Sequence, residues 1–367
     1  MSDNDNTRGS VPEPSASPEP GNHQGLSIPS IDDIRRKAFD VLGKRPCLWQ
    51  AKVCQAVLEG NRDVISIAGT GMGKTLTFWL PLLFRPKGIQ IVVTPLNILG
   101  QQNVETLGKV GIQGIFLSAD AARKPGTFQV CPHPFCDPST QTSMQAILSL
   151  TYRVIVVNPE VLMHENGIFE HLFKNTTFMS SVISIVIDEA HCVSQWGSFR
   201  PEYRELGRLR HLQRHPCTVM ATSATLIPSV IKDIKNVLSL REENLFFSQC
   251  PVDRPNISIT VRPFRNPRNS FLDLKFLLRD WQPGCPPPPT FIVFFNSIPE
   301  SVSAGRYLRS LLPQEYEDCI MWFNSEMSDR FKTQQTSKFS KGEVWGLMAT
   351  DSFGMVNYIT CCYSERR

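Results

Sequence analysis

Residues 63–84 constrain this chain more than any other stretch. An apolar run over 63–68 leads into Gly69, Thr70, Gly71, Met72 and Gly73, and then into a segment from Lys74 whose apolar residues recur at helical spacing until Pro86. That order reads as strand, loop, helix. Further short apolar runs at 89–94, 154–158, 182–187 and 218–222 alternate with helix-like stretches. Runs without polar alternation are expected where both faces of a sheet are covered, so the pattern predicts an α/β domain with a parallel sheet wrapped by helical crossovers.

The loop carries chemistry as well as topology. Ala68, Gly69, Thr70, Gly71, Met72, Gly73, Lys74 and Thr75 fit a phosphate-binding loop, with alanine where the strict pattern has its first glycine. That position needs only a small side chain. Glycines let backbone N–H groups close around phosphate oxygens, the helix starting near Lys74 turns its positive end toward them, and Lys74 adds a mobile charge. The Thr75 hydroxyl can hold Mg²⁺. A chance glycine-rich turn is the competing reading, and the placement between strand and helix argues against it.

A second feature lies downstream. The run 181–187 delivers Asp188, Glu189, Ala190 and His191 to the carboxyl end of a buried strand, where open α/β sheets place their ligands. Asp188 there suits an outer-shell hold on Mg²⁺, and Glu189 suits the attacking water. An aspartate at such a junction also caps helices routinely, and that alternative stands beside the first. Taken together, a phosphate loop and an acidic strand end point to hydrolysis of a magnesium-bound nucleotide.

At 367 residues the chain has room for two domains. Residues 1–30, rich in proline and serine, are expected to be a disordered tail; 31–250 form the first domain, 251–289 a proline-bearing linker region, and 290–367 a second α/β domain that is incomplete. A helix is expected over 271–278 within the linker region. No apolar run is long enough to span a bilayer, and residues 1–10 lack the basic and apolar regions of a signal peptide, so no membrane partner is expected. The eleven cysteines are scattered, which favours reduced thiols. Cys131, His133 and Cys136 offer three zinc ligands in six residues but no fourth nearby, which favours a loop with free thiols. A net charge of +4 is too slight to argue for nucleic acid unaided.

The stretch 188–203, Asp-Glu-Ala-His-Cys-Val-Ser-Gln-Trp-Gly-Ser-Phe-Arg-Pro-Glu-Tyr, resembles the RecQ DNA helicases, in which a DEAH box runs directly into an aromatic-rich loop. The resemblance implies a RecA-like first domain followed by a second, partial RecA-like domain, and it counts Lys74, Asp188, Glu189 and His191 as catalytic. It gives Trp196, Phe199 and Arg200 the sensing of single-stranded DNA. Stacking of bases on aromatic faces supplies the physical reason. Core packing is the competing role for such aromatics, but the neighbouring Gly197 and Pro201 favour a loop. That loop is one residue shorter than the family pattern between Gly197 and Phe199.

Other motifs follow in order. Gln50 resembles the glutamine that reads adenine, with Arg45 a weaker assistant; a polar residue on a helix surface is the alternative. Thr94, with Gln101 and Gln102 downstream, resembles motif Ia, and Asn158 begins a motif Ib; both meet the DNA backbone in the family, or are plain strand-to-helix turns. Ser223 and Thr225 frame motif III, which would couple hydrolysis to domain movement, unless they form a simple Ser/Thr turn. Residues 291–297 resemble motif IV, and Ala349, Thr350 and Asp351 with Phe353, Gly354 and Met355 resemble motif V. A motif VI arginine element, Q-x-x-G-R-x-G-R, does not occur in the sequence. The reading is therefore a monomeric 3′-to-5′ DNA helicase, acting in the nucleus on single-stranded and forked DNA, with turnover impaired in this polypeptide. An ATP- and DNA-binding module without efficient turnover, or an RNA-directed DEAH-type helicase, are the alternatives.

Overall fold

The computed structural model describes residues 27–95, 97–117, 145–165, 167–212, 217–251, 253, 255–279, 281–350 and 353. Cys131, His133 and Cys136 lie outside the described residues, as do Asp351, Gly354 and Met355 and all but the last four residues of the expected tail. The chain divides into two compact units, Met1–Val252 and Asp253–Arg367.

The first unit is built on seven strands: β1 Asp63–Ile67, β2 Ile89–Val93, β3 Gly114–Leu117, β4 Val154–Val157, β5 Val182–Ile187, β6 Thr218–Ser223 and β7 Leu245–Gln249. Their order across the sheet is β3-β4-β2-β5-β6-β1-β7, and every pairing is parallel. The expected parallel α/β, RecA-like fold is present. Side chains alternate between two cores: Ile65, Ile91, Ile155 and Ile185 pack on one face, Val64, Val92, Val156 and Val186 on the other. Burial on both faces explains why these strands read as unbroken apolar runs. Helices α1 Ile31–Leu42, α2 Leu48–Glu59 and α3 Lys74–Phe84 contribute Ile34, Val53, Val57, Phe78 and Leu82 to the second core. α1 begins at Ser30, whose hydroxyl accepts from the Asp33 N–H, and ends at Gly43 in the left-handed region.

The strand order sets the chemistry. β5, β6 and β1 are neighbours, with Ile187 level with Ala221 and Ile67 level with Ser223. Their carboxyl ends therefore share one lip of the sheet.

At the opposite end of β1, fully buried Asp63 organises three segments. It accepts from the Val219 N–H at 2.9 Å, the Arg241 N–H at 2.8 Å and the Arg241 guanidinium at 2.9 Å, and pairs with Arg210. Burial by itself would raise its pKa, but the hydrogen bonds from Arg241 and Arg210 outweigh this and hold it below the ordinary carboxylate value.

The second unit has a three-stranded parallel sheet, β8 Phe291–Phe294, β9 Ile320–Phe323 and β10 Gly346–Ala349, in the order β8-β10-β9. Central β10 is buried throughout. The helix expected at 271–278 is a 3₁₀ helix, Leu272–Leu278, entered through Phe271 at φ 55°. Leu278 is buried in a core that Phe271, Leu274 and Trp281 also join, so this part of the expected linker region is packed into the second unit.

Replacing Asp63 by alanine would strand two arginines against a buried pocket, and removing one partner of a buried ion pair costs about 3–5 kcal/mol. Asp63→Ala is expected to lower the urea midpoint of the first unit accordingly. Because the folded pKa lies below the unfolded one, wild-type stability from this residue is full above pH 3.8 and lost as pH falls through the lower folded value. Urea titrations at pH 5 and pH 3 should show that component in the wild type and not in Asp63→Ala.

Candidate functional site

The loop after β1 is shaped by two glycines in the left-handed region, Gly71 at φ 82° and Gly73 at φ 80°. Other residues are strained there. The Met72 N–H reaches Gly69 O at 3.1 Å, closing the turn, and α3 begins at Lys74. Lys74 is buried, and its Nζ donates across the loop to Ala68 O at 3.0 Å. Thr75 follows, half-buried, while Thr70 is exposed. A Cβ at Gly71 would meet open space, so the cradle has room for a phosphate over it.

Gln50 is not a surface polar residue. It is 4% exposed; its Oε1 accepts from the Cys47 N–H at 2.7 Å, and its Nε2 donates to Gly73 O at 3.0 Å and Met72 O at 3.3 Å. The side chain thus caps α2 and clamps the phosphate loop from outside. Arg45 is exposed.

Three backbone bonds stitch the lip together. Asp188 N–H donates to Val93 O at 2.9 Å, Ala190 N–H to Thr222 O at 2.8 Å and Ala68 N–H to Ser223 O at 3.2 Å. The cap position of the helix His191–Gln195 is Ala190, so Asp188 is not its N-cap. Glu189 sits at φ 49°, a conformation that a non-glycine residue holds only where its surroundings enforce it. Burial first, and the Glu189 charge second, push the Asp188 carboxyl well above the ordinary range, while the charges of Lys74 and His191 pull the other way. The lysine and the carboxylate therefore act on one another across the lip, a donor set suited to Mg²⁺ and phosphate. Thr75 and Asp188 are the side chains that would hold the metal ion.

His191 joins two motifs: its Nδ1 is 2.9 Å from Ser223 Oγ and 3.3 Å from Glu189 Oε2. Ser223 Oγ also lies 3.4 Å from Thr225 O, and the Thr225 side chain is exposed.

The aromatic segment follows directly. Trp196 is partly buried against the first core, with Tyr203 edge-on at 6.1 Å and Phe199 tilted at 5.4 Å. Phe199 is 65% exposed. Arg200 does not reach outward: its Nε donates to Glu160 Oε1 at 2.6 Å and its Nη1 to Pro95 O at 2.9 Å. Thr94 and Asn158 are buried, and Asn158 Nδ2 donates to Thr94 O at 3.0 Å. The Asn158 side chain thus braces the turn after β2 through the Thr94 carbonyl, while the Thr94 hydroxyl is buried without a hydrogen-bond partner. Sequence reasoning missed the role of Glu160. Forty residues separate it from Arg200, and no local spacing announces such a pair.

The residues expected in the nucleotide site, 68–75, Asp188, Glu189 and His191, thus lie at the ends of β1 and β5, with Gln50 against the loop from α2, and Ser223, expected to couple hydrolysis to movement, ends β6 beside His191. Thr94 and Asn158 lie at the neighbouring ends of β2 and β4, and of the aromatic segment Arg200 reaches Pro95 and Glu160 just beyond them. Among the described residues no group of three His, Cys, Asp or Glu forms a metal cluster, and no helix is long and apolar enough to cross a membrane.

Residues 48–234, just over half of the chain, match the DEAD/DEAH box helicase family, and the chain belongs to it. Its curated relatives are of the RecQ type: it is 30% identical to the ATP-dependent DNA helicase RecQ of Pasteurella multocida over 83% of this chain and 43% of the relative. It is 32% identical to the ATP-dependent DNA helicase hus2/rqh1 of Schizosaccharomyces pombe over 66% of this chain and 18% of that protein. The chain spans less than half the length of these relatives. Among solved structures, the DUF1998 helicase MrfA bound to DNA and AMPPNP shares the fold at a TM-score of 0.63 and 16% identity, over 90% of this chain and 45% of that one. Helicases of this family use ATP with a divalent metal ion.

Gln50→Glu would set a carboxylate against two carbonyl oxygens while keeping the bond from the Cys47 N–H; Gln50→Ala only deletes the clamp. Nucleotide affinity, measured with a fluorescent ATP analogue, is expected to fall at least about tenfold, about 1.4 kcal/mol, in Gln50→Glu, and less in Gln50→Ala.

Proposed function

We propose that this chain is the motor portion of an ATP-dependent DNA helicase of the RecQ type, coupling ATP hydrolysis to 3′-to-5′ movement along single-stranded DNA and to duplex unwinding. The observation that carries the reading is the shared lip: the phosphate loop follows β1, the acidic turn and then the aromatic segment follow β5, with β6 between these two strands, and Phe199 alone of that segment's large aromatics is mostly exposed.

The proposed roles follow from the placement. Ala68, Gly69, Thr70, Gly71, Met72 and Gly73 wrap the phosphates, Lys74 neutralises their charge, and Gln50 holds the loop in shape beside the adenine. Magnesium supplies charge neutralisation at the phosphates when bound. Glu189 orients the attacking water; His191, touching both Glu189 and Ser223, relays the state of the nucleotide toward the coupling triplet ending at Thr225. The turns at Thr94 and Asn158 meet the DNA backbone in this reading. Trp196 backs Phe199, on which a base stacks. Single-stranded and forked DNA are the proposed partners of a monomer. The proposed place of work is the nucleus, in repair and recombination, a reading that rests on family resemblance alone. No Q-x-x-G-R-x-G-R element occurs in the 367 residues. This polypeptide by itself is therefore proposed to bind more readily than it turns over.

Stacking of one base on an aromatic ring is worth about 1–3 kcal/mol. Phe199→Ala should weaken binding of a fluorescein-labelled thymidine oligomer at least about fivefold by anisotropy, and DNA should bind at least as tightly as RNA of equal length. Equal affinity of the variant and the wild type would remove Phe199 from the interface. A marked preference for RNA would favour the RNA-directed alternative.

A further inference from the structure

Residues 281–291, Trp-Gln-Pro-Gly-Cys-Pro-Pro-Pro-Pro-Thr-Phe, belong to the proline-bearing region, and neither the nucleotide lip nor the aromatic segment draws on them. Both ends of this stretch are held at one residue. The Trp281 ring lies 4.9 Å from that of Trp345 and 4.8 Å from that of Tyr316, and the Phe291 N–H donates to Trp345 O at 2.8 Å. Trp345 itself is buried in a core of the second unit. After Trp281 the chain turns, with the Cys285 N–H reaching Gln282 O at 3.0 Å and Gly284 at φ 93°. Residues 286–290 then lead into β8. The stretch is a loop with a clamped base, which distinguishes it from a free linker.

Pro286, Pro287 and Pro288 are each followed by another proline, so the ring fixes φ and the next ring confines ψ to extended values. The conformation open to such a run is the polyproline II helix, with three residues per turn. That period puts Pro286 and Pro289 on one edge, and Pro287 and Pro288 on the other two. Exposure follows the same period: Pro286, Pro287 and Pro289 are exposed, and Pro288 is half-buried. One edge is turned inward and two face solvent. Among the described residues no backbone N–H reaches the carbonyl oxygens of residues 286–289.

The chemistry of the run selects its partner. Lacking an N–H at all four positions, it cannot add a strand to a sheet edge, whether its own or that of a second copy. There is no charge between Trp281 and Phe291, so the loop has no cation for a nucleic-acid phosphate. A single proline beside β8, an edge strand, would be enough to guard that edge; a run of four, three of them exposed, exceeds that need. What the run offers is apolar ring edges at fixed spacing, bare carbonyl acceptors and a conformation that loses little entropy on binding. Its complement is a groove walled by aromatic rings, whose tryptophan and tyrosine donors reach the carbonyls.

We propose that residues 286–289 are a docking ligand for a partner protein that carries such an aromatic-lined groove, with Pro286 and Pro289 presented to it by the clamped loop. The site lies in the second unit and stands independently of the helicase reading.

The test immobilises the 367-residue chain and titrates it with three purified probes of this groove class, an SH3, a WW and an EVH1 domain. At least one should bind with a dissociation constant of about 100 μM or tighter. Raising the salt from about 50 to about 200 mM should change that affinity less than about threefold, since no charge in the loop takes part. Replacing both Pro286→Ala and Pro289→Ala should weaken binding at least about tenfold, whereas Pro288→Ala should weaken it less than about threefold. Near-ultraviolet circular dichroism of the Trp281, Tyr316 and Trp345 cluster should stay that of the wild type in each variant, showing that the loop base is intact. Should the double variant disturb that signal, Pro289→Ala alone takes its place.

No binding by any of the three domains at about 1 mM would overturn the proposal. So would binding that the double variant leaves unchanged, which would assign it to prolines elsewhere, such as Pro12 and Pro14. A loss in Pro288→Ala equal to that in the double variant would also overturn it, because the inward edge would then be the one recognised.

Discussion

Everything functional in the first unit depends on β5, β6 and β1 lying side by side in parallel register. The three strands are distant in sequence, and each ends in a turn that has no chemistry alone. Packed as neighbours, their ends exchange backbone hydrogen bonds, Ala190 to Thr222 and Ala68 to Ser223. The phosphate loop, the acidic turn and the serine-threonine turn then form one surface. A parallel sheet buried on both faces is what keeps that register fixed, since slipping any strand by one residue would turn its apolar side chains to the wrong core.

Polar side chains then set the fine geometry. Gln50 and Arg200 do comparable work at the lip, each donating from its side chain to main-chain carbonyl oxygens of a turn. Gln50 shapes the phosphate loop from α2, and Arg200 joins the aromatic segment to the turns after β2 and β4. Asp63 does the same at the far end of β1, where its bonds from Arg241, Arg210 and Val219 fix the sheet but contribute nothing to the lip. The chain thus keeps rigid anchoring at one end of the sheet and strained or incompletely paired groups, such as Glu189 and Glu160, at the other. Residues held in uncommon conformations tend to gather where two arrangements must interconvert.

Much of this was legible in the sequence, for identifiable reasons. Strands β1, β2, β4, β5 and β6 are interior, so their apolar runs are unbroken and easily read. β7 escaped notice because it lies at the edge of the sheet and mixes Leu245, Phe246 and Phe247 with Ser248 and Gln249. β3, also an edge strand, is only four residues long. The glycine loop and the acidic strand end carry their spacing in the chain itself and were placed to within a residue or two. The direction of side chains was not legible. Nothing in the letters says that Gln50 faces the loop, that Thr94 and Asn158 turn inward, or that Arg200 is engaged by Glu160, because each depends on partners 22 to 105 residues away.

The claim beneath all of this is that Lys74 and Asp188 serve one magnesium-bound triphosphate. Calorimetric titration of the chain with ATP, in magnesium and again in excess chelator, tests it most directly, with Lys74→Ala alongside. One nucleotide per chain, bound with magnesium, weakened at least about tenfold without it and lost in Lys74→Ala, is the expected result. Absence of binding at millimolar ATP, or binding indifferent to both the metal and Lys74, would contradict it.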